Sequence, residues 1–391
     1  MTAAMAARLP MVRRWPGAVV AVRRVLVPWV VARVAVAAAM GIARLGVSWL
    51  RPHDATALAR LHQGLLAWDA GWYEAIAGHG YAASGLQSVR FFPLFPLAAR
   101  VLAWVTGLGA GAAVVVVSNL CALGALALVD VLVRSDMDDP GLATRTVWLL
   151  ALAPAGYTYV LGYAEGTLLL CTVGAFVALH RRWWWWAAVA GLAAGAVRPL
   201  GVLLVVPAAL EVWGARPPGT GVRGLVTSPR IPARVAAVLA PLAGAGAYLV
   251  WVWYRFGHPL LPLHVQEQGG HRGALTPPLV GAWDALVAGL QGHHLGEASH
   301  LPWVVVALVL LVVAFRRLPA SYAWFASAVL AVSLTSTNLD SFERYATGAF
   351  PLAIAAAGTS IVSGHPRAVI TATGLVMVLY AVAAMVGVVV P

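Results

Sequence analysis

The sequence predicts an all-α polytopic membrane protein. Hydrophobic residues make up 61% of the 391 residues and charged residues only 10%, and the mean hydropathy is +0.83. These values lie outside the range of soluble globular proteins. Apolar runs recur from residue 25 to the C-terminus with no soluble block between them. We therefore expect one integral membrane domain over residues 1–391, with about ten to twelve transmembrane helices.

The charge of the chain is carried by arginine. The formal net charge is +12, and the chain contains no lysine. The arginines lie in short loops between apolar runs, which is typical of membrane topology, so we expect a lipid bilayer and no nucleic acid as partner. The Arg, Ala, Gly and Val bias indicates a GC-rich bacterial genome and hence a bacterial plasma membrane. Cys121 and Cys171 lie inside apolar runs, and we assign them neither a disulfide nor a metal.

The candidate spans follow from run length, because a spanning helix needs roughly 20 apolar residues. We interpret residues 1–24 as a basic cytoplasmic segment in front of an uncleaved first helix. The candidate runs are 25–49, 110–133, 145–161, 163–180, 183–197, 199–214, 235–254, 301–315, 320–338, 345–362 and 368–390.

Orientation follows from the basic loops. If residues 1–24 are cytoplasmic and residues 91–108 lie along the outer surface, all strongly basic loops fall inside. These loops contain Arg134, Arg181, Arg182, Arg216, Arg223, Arg230, Arg234, Arg316, Arg317 and Arg367. The same threading places two long loops outside, residues 50–108 and 255–300, where loops on a rigid bundle can build a site.

Asp69 is the leading candidate for a catalytic residue. It stands in the stretch Trp68-Asp69-Ala70-Gly71-Trp72-Tyr73, in a chain with only 14 acidic residues. One interpretation is a helix cap among aromatic residues of the membrane interface. The other is a general base shielded by the aromatic rings, which could stack on a sugar. Glu74 turns away from Asp69 on a helix, so we give it a secondary role.

Three further charged residues lie close to apolar runs. Glu165 stands at a predicted outer turn, where an ionisable group indicates either function or a structural ion pair. Arg198 could pair with Glu165 or hold an anionic head group. Arg344 could pair with Asp340, four residues earlier on a helix. Both arginines also suit a phosphate, which favours planar bidentate donors.

The histidines of the second long loop allow two sets with helical spacing. Nearby glycines argue against long helices here and no HExxH pattern occurs, so we favour no metal site. The two sets are His264, Glu267, His271 and His293, Glu297, His300.

The order of the motifs resembles the PIG-V-type mannosyltransferases of the GT-C superfamily. The resemblance covers most of the chain and rests mainly on its first two motifs. The motifs are WDAGWY (68–73), Gly78-His79-Gly80-Tyr81, FFPLFP (91–96), the Tyr163–Glu165 turn, Arg198-Pro199 and Glu343-Arg344-Tyr345. The resemblance implies a GT-C-like bundle whose outer loops bind a polyprenyl-phosphate-linked mannose, with Asp69 as the catalytic acid of the first outer loop.

The function expected from these observations is inverting transfer of mannose from a polyprenyl-phosphate donor to an acceptor hydroxyl on a glycolipid, glycan or protein outside the membrane. Asp69 is the expected base, and Arg198 and Arg344 are expected to bind the donor phosphate. No cofactor is expected, and a divalent metal is the less favoured alternative. The further candidates for substrate contact are Trp68, Trp72, Tyr73, Glu74, His79, Glu165 and Glu343. The alternatives are transfer of another lipid-linked sugar and, in a different class, a lipid or sugar carrier.

Overall fold

The computed structural model describes residues 17–50, 53–217, 219–221, 224, 229–267, 273, 275–291, 299–336 and 339–391. Within these ranges the chain is helical and contains no β-strand, apart from one isolated bridge between Leu275 and Ser336. The all-α class predicted from the sequence is therefore confirmed.

The first half of the described chain forms nine helices and the second half forms nine more. The first set is α1 (Ala18–Leu50), α2 (Ala55–Gln63), α3 (Asp69–His79), α4 (Leu94–Thr106), α5 (Ala110–Met137), α6 (Pro140–Ala151), α7 (Glu165–His180), α8 (Trp184–Val197) and α9 (Val205–Gly214). The second set is α10 (Ile231–Phe256), α11 (Leu261–Glu267), α12 (Val280–Leu290), α13 (Leu301–Arg317), α14 (Ala320–Ser333), α15 (Phe342–Thr347), α16 (Pro351–Ala357), α17 (Ser360–Gly364) and α18 (Pro366–Val386).

Four of the described helices, α1, α5, α10 and α18, are long and apolar enough to cross a membrane. Several of the predicted runs are not single α-helices, including 145–161 and 345–362. In the 145–161 run, α6 ends at Ala151, ahead of Pro154. The 345–362 run is divided among α15, α16 and α17, and Pro351 begins the second of these. Proline interrupts helical hydrogen bonding, whereas apolar composition alone does not reveal such breaks.

The helices that carry the charged motifs run between two ends of the bundle. Helix α5 has 28 residues, which corresponds to about 42 Å. Helix α7 begins at Glu165 and ends at His180, and α8 returns along it to end just before Arg198. A core of alanine, valine, leucine and phenylalanine side chains joins α5 and α7 to the neighbouring helices, with Phe176 fully buried in it.

Small residues bring α8 and α10 unusually close together. A methyl group on Gly195 would overlap the carbonyl oxygen of Pro241, and one on Gly244 would overlap the carbonyl oxygen of Leu192. Glycine permits this backbone contact because it has no β-carbon, as in other closely packed membrane helices. The contact fixes the end of α8, and with it the backbone of Arg198.

The end of the bundle opposite Glu165 contains a separate ionic cluster. His180 contacts Asp136 through Nδ1, and its Nε2 lies 3.3 Å from Glu211 Oε1. The hydroxyl of Tyr322 donates a hydrogen bond of 2.8 Å to Asp136. These contacts tie α5, α7, α9 and α14 together at that end.

The predicted orientation leads to a labelling experiment. Single cysteines at Ala83, Pro277 and Thr220, all exposed, are introduced after Cys121 and Cys171 have been replaced by alanine. Because arginine-rich loops stay in the cytoplasm, we expect an impermeant thiol reagent to label the first two positions in intact cells and Thr220→Cys only after permeabilisation. The reverse pattern would overturn the orientation.

Candidate active site

A cavity of about 420 Å³ contains the leading candidate residues. Its polar lining includes three arginines, Arg90, Arg198 and Arg344, and three carboxylates, Asp69, Glu267 and Asp340. The rest of the lining is largely apolar and aromatic. The full set is Asp69, Tyr73, Arg90, Phe91, Phe92, Arg198, Pro199, Leu200, Val202, Leu203, Pro262, Leu263, Gln266, Glu267, Gly273, Leu275, Val332, Thr335, Ser336, Asp340, Ser341, Arg344, Tyr345, Val390 and Pro391.

Asp69 is positioned by an unusual backbone conformation at the start of α3. The preceding residue, Trp68, has a φ of 61°, which is costly for a residue with a β-carbon and persists only where neighbours enforce it. The Trp68 indole N–H donates to the carbonyl of Ala384 at 3.0 Å. The backbone N–H of Asp69 donates to the hydroxyl of Tyr163 at 3.3 Å. Trp68 therefore contacts the scaffold and does not line the cavity.

Arg344 donates a hydrogen bond to Asp69, although the two residues are far apart in the sequence. It lies in α15 with 7% of the residue exposed, and its Nη1 donates to Asp69 Oδ2 at 2.8 Å. Its Nε is 3.3 Å from Glu165 Oε1. Glu165 also accepts a hydrogen bond from Arg198 Nη1. The four side chains, which we call the ionic network, alternate in charge in the order Asp69, Arg344, Glu165, Arg198.

The ionic network settles which of the considered pairs form. Arg198 pairs with Glu165, as one interpretation of the sequence held. Arg344 does not pair with Asp340 in the described structure. Ser341 has a left-handed φ of 63° and stands between Asp340 and the first residue of α15, so Asp340 is outside the helix and the expected four-residue spacing does not apply.

The network affects the ionisation of Asp69 and Arg344. Burial raises the pKa of Asp69, whereas the positive charges of Arg344, Arg90 and Arg198 lower it. The lowering effects together are larger, so the pKa is below its usual value. Burial lowers the pKa of Arg344, but Asp69 and Glu165 raise it well above its ordinary value. Both groups are therefore charged at neutral pH, and Asp69 is a weaker base than an isolated aspartate while the pair is intact.

A second polar group lies behind Asp340. His300 is 1% exposed, and its Nδ1 lies 2.8 Å and 2.7 Å from the two carboxylate oxygens of Glu343. The other ring nitrogen, Nε2, lies 4.0 Å from Asp340 Oδ1. The Tyr380 hydroxyl donates to Glu343 at 3.3 Å. Glu343 does not line the cavity, but it holds His300, whose Nε2 faces the cavity residue Asp340.

The remaining candidates occupy several positions. Tyr73 lines the cavity and packs edge-on against Phe91 and Phe95. Trp72 stacks on Phe91 with ring centroids 6.0 Å apart and does not line the cavity. Glu74 packs against Gly111 of α5, and His79 is exposed at the end of α3. Neither of these lines the cavity, so Tyr73 is the candidate of this motif region that lies beside Asp69.

Arg90 is a cavity residue that our sequence reasoning missed. Its guanidinium carbon lies 4.8 Å from the centroid of the Phe91 ring, and its charge contributes to the low pKa of Asp69. The available signal was its position directly before FFPLFP, in a predicted outer segment that also contains Asp69. Asp69 is also not alone among carboxylates in the cavity, because Asp340 and Glu267 line it too.

The two histidine sets proposed as metal alternatives are only partly described. Glu267 lines the cavity, whereas His264 does not. His300 contacts Glu343, as above. His271, His293 and Glu297 lie outside the described residues, so the geometry of these sets is not defined.

Comparison with known proteins adds no family assignment. No protein-family model matches the chain, and no curated protein matches it. The resemblance noted from the sequence therefore depends on the motifs alone, and function has to be argued from the geometry of the cavity.

A double-mutant cycle tests whether the Arg198–Glu165 pair is coupled. Removing one member leaves its buried partner with less compensating charge, so Arg198→Gln and Glu165→Gln should each lower the free energy of unfolding, by up to about 3–5 kcal/mol. The double variant should lose much less than the sum. Thermal unfolding in detergent provides the measurement, and Arg367→Gln, which changes an exposed arginine in α18, is the control. Additive losses would show that the two groups act independently.

Proposed function

We propose that the protein is a membrane glycosyltransferase that moves mannose from a polyprenyl-phosphate donor to an acceptor hydroxyl. The observation that carries this proposal is the cavity in which arginines and Asp69 face a largely apolar lining. The proposal includes a GT-C-like bundle of about ten to twelve spans, in which shorter helices supplement the four long ones. It also includes a bacterial plasma membrane location with the cavity facing outside.

The lining of the cavity suits an amphipathic donor. Leu200, Val202 and Leu203 form one apolar stretch of the wall. Leu263 and Leu275 also line it, with 44% and 73% of their surfaces exposed. Apolar side chains thus continue from the cavity to the surface. A lipid tail can lie along this surface while its phosphate reaches the arginines, which supports a lipid-linked substrate.

The arginines can bind the donor phosphate without leaving the ionic network. A guanidinium has five N–H donors in a planar fork. Arg198 directs Nη1 to Glu165, and Arg344 directs Nη1 to Asp69. A phosphate in the cavity can therefore share these guanidinium groups with the carboxylates. In transfer, the same contacts stabilise the negative charge that develops on the leaving phosphate.

Asp69 acts as the base in this proposal. The acceptor oxygen attacks the anomeric carbon, the bond from that carbon to the phosphate oxygen breaks, and polyprenyl phosphate leaves with the bonding electrons. Asp69 takes the acceptor proton, and the sugar configuration inverts. Phosphate binding at Arg344 would weaken the hold of this arginine on Asp69 and so raise the basicity of the carboxylate. Donor binding would thus prepare the base for the acceptor. The phosphate is a good leaving group, so the proposal requires no cofactor.

Two alternatives differ in the identity of the ligand and the class of protein. Transfer of another lipid-linked sugar uses the same geometry, because sugar choice depends on hydroxyl contacts. A carrier would place ionisable groups on both sides of the bundle, and the His180 cluster does lie at the other end. A second, smaller cavity is also lined by Arg198 and Arg344. The His180 cluster lines neither this cavity nor the one that contains Asp69, which favours transfer at one end over passage through the bundle.

Transfer of label tests the proposed function. Membranes containing the wild type or Asp69→Asn are incubated with radiolabelled polyprenyl-phosphate mannose or glucose, and the products are identified. We expect labelled mannose in a product from the wild type and a loss of about 10²- to 10⁴-fold in Asp69→Asn, because the amide is not a base. Asp284→Asn, which changes an exposed acid in α12, is the control. Wild-type turnover by Asp69→Asn would remove Asp69 from the mechanism.

A further inference from the structure

Asp340 is a cavity carboxylate whose charged neighbour lies outside the ionic network. Its side chain is 37% exposed and lines the cavity. The charged group that lies 4.0 Å from Asp340 is the His300 ring rather than an arginine. Asp340 is therefore available to a ligand in the cavity, whereas Asp69 is bonded to Arg344.

The surroundings of Asp340 restrict what that ligand can be. A phosphate beside it would meet a like charge, which is unfavourable. A hydrocarbon chain would remove water from the carboxylate without replacing its hydrogen bonds, which is also unfavourable. A hydroxyl group donates a hydrogen bond to a carboxylate and carries no charge. Sugar hydroxyls are thus the part of a polyprenyl-phosphate sugar or of a glycan acceptor that suits Asp340.

His300 is placed to control the charge of Asp340. Glu343 fixes the ring through Nδ1, so Nε2 faces Asp340. At 4.0 Å the two groups are beyond direct hydrogen-bond distance but close enough for strong electrostatic interaction. When the ring is protonated, it carries a positive charge between the two carboxylates Glu343 and Asp340. In that form it would stabilise the ionised state of Asp340.

The pKa of Asp340 reflects these opposing influences. Burial raises the pKa of the carboxyl, the positive charge of His300 lowers it, and Glu343 raises it further, so the result is above the ordinary value. The charge of Asp340 therefore depends on His300, whereas the charge of a fully exposed aspartate depends less on any single neighbour.

We infer that Asp340 is a specificity-determining residue that accepts a hydrogen bond from a sugar hydroxyl of the donor or of the acceptor, and that His300, oriented by Glu343, is a positioning residue for it. This inference rests on the proposed glycosyltransferase function. It adds to the phosphate contacts a contact that distinguishes one sugar from another. A bound sugar that covers Asp340 without offering a hydroxyl group removes the carboxylate's hydrogen bonds to water and is therefore penalised.

Binding measurements on the purified protein in lipid nanodiscs test the contact. The two probes are polyprenyl-phosphate mannose and polyprenyl phosphate without sugar. If the donor sugar contacts Asp340, Asp340→Ala should weaken binding of the mannosyl donor about tenfold to a hundredfold and leave binding of polyprenyl phosphate nearly unchanged. Asp340→Asn, which keeps a neutral acceptor, should show a smaller loss. Asp284→Asn is again the matched control.

Transfer assays distinguish the two sources of the hydroxyl. If the acceptor sugar makes the contact, both probes should bind Asp340→Ala as they bind the wild type, while transfer to the membrane acceptor falls by a similar factor. Unchanged binding together with unchanged transfer would overturn the inference. An equal loss of affinity for both probes would also overturn it, since the effect would then not depend on the sugar.

The role of His300 has its own readout. The affected step, donor binding or transfer, should require ionised Asp340. Its pH profile should therefore have an acid limb, in which the step weakens as the pH falls. Because the positive charge of His300 lowers the pKa of Asp340, His300→Gln should move this acid limb to higher pH. The other titratable groups that line the cavity are the same in both proteins: Asp69, Tyr73, Arg90, Arg198, Glu267, Arg344 and Tyr345. An unmoved acid limb would reduce His300 to a structural residue.

Failure of this inference can be separated from failure of the proposed function. A wild type that binds no donor and transfers no sugar would contradict the proposed function itself. A wild type that transfers mannose, with Asp340→Ala equal to it in both assays, would contradict the role of Asp340 alone.

Discussion

The bond between Arg344 and Asp69 is the interaction on which the site depends. It joins α15, late in the chain, to the first residue of α3, and Glu165 extends it to Arg198 at the end of α8. Removing several charges from water costs several kcal/mol each unless neighbouring charges compensate for it. The alternation of two arginines with two carboxylates provides that compensation. The four segments must therefore keep their relative positions, and the cavity has a fixed polar end.

Much of the network could be predicted from the sequence because charged residues are rare in apolar surroundings. Asp69, Glu165, Arg198 and Arg344 each stand out for that reason. The pairing of Arg344 could not be predicted from spacing, because the left-handed conformation of Ser341 ends the helical register that would connect it to Asp340. Helix breaks inside apolar runs were missed for a similar reason. Composition reports burial, whereas pairing and breaks depend on backbone geometry and on contacts between distant segments.

The aromatic residues around Asp69 divide into scaffold and cavity in a way that the motif did not indicate. Trp68 holds a strained backbone through its bond to Ala384, and Tyr163 accepts the N–H of Asp69. Tyr73 faces the cavity. Backbone strain in the residue next to a carboxylate that lines a cavity is typical of sites where position matters for chemistry. The motif thus combines one reactive candidate with residues that orient it, and Tyr73 is its aromatic residue that lines the cavity.

The proposed function requires that the polar end of the cavity binds a lipid-linked phosphate and is not merely a scaffold of ion pairs. The most direct measurement compares binding of polyprenyl phosphate and uncharged polyprenol to the purified protein, with Arg198→Lys and Arg344→Lys as variants. We expect that the wild type prefers the phosphate and that each lysine variant loses much of this preference, because lysine lacks the planar fork. Equal affinity for polyprenol and polyprenyl phosphate, or an unchanged preference in both variants, would contradict it.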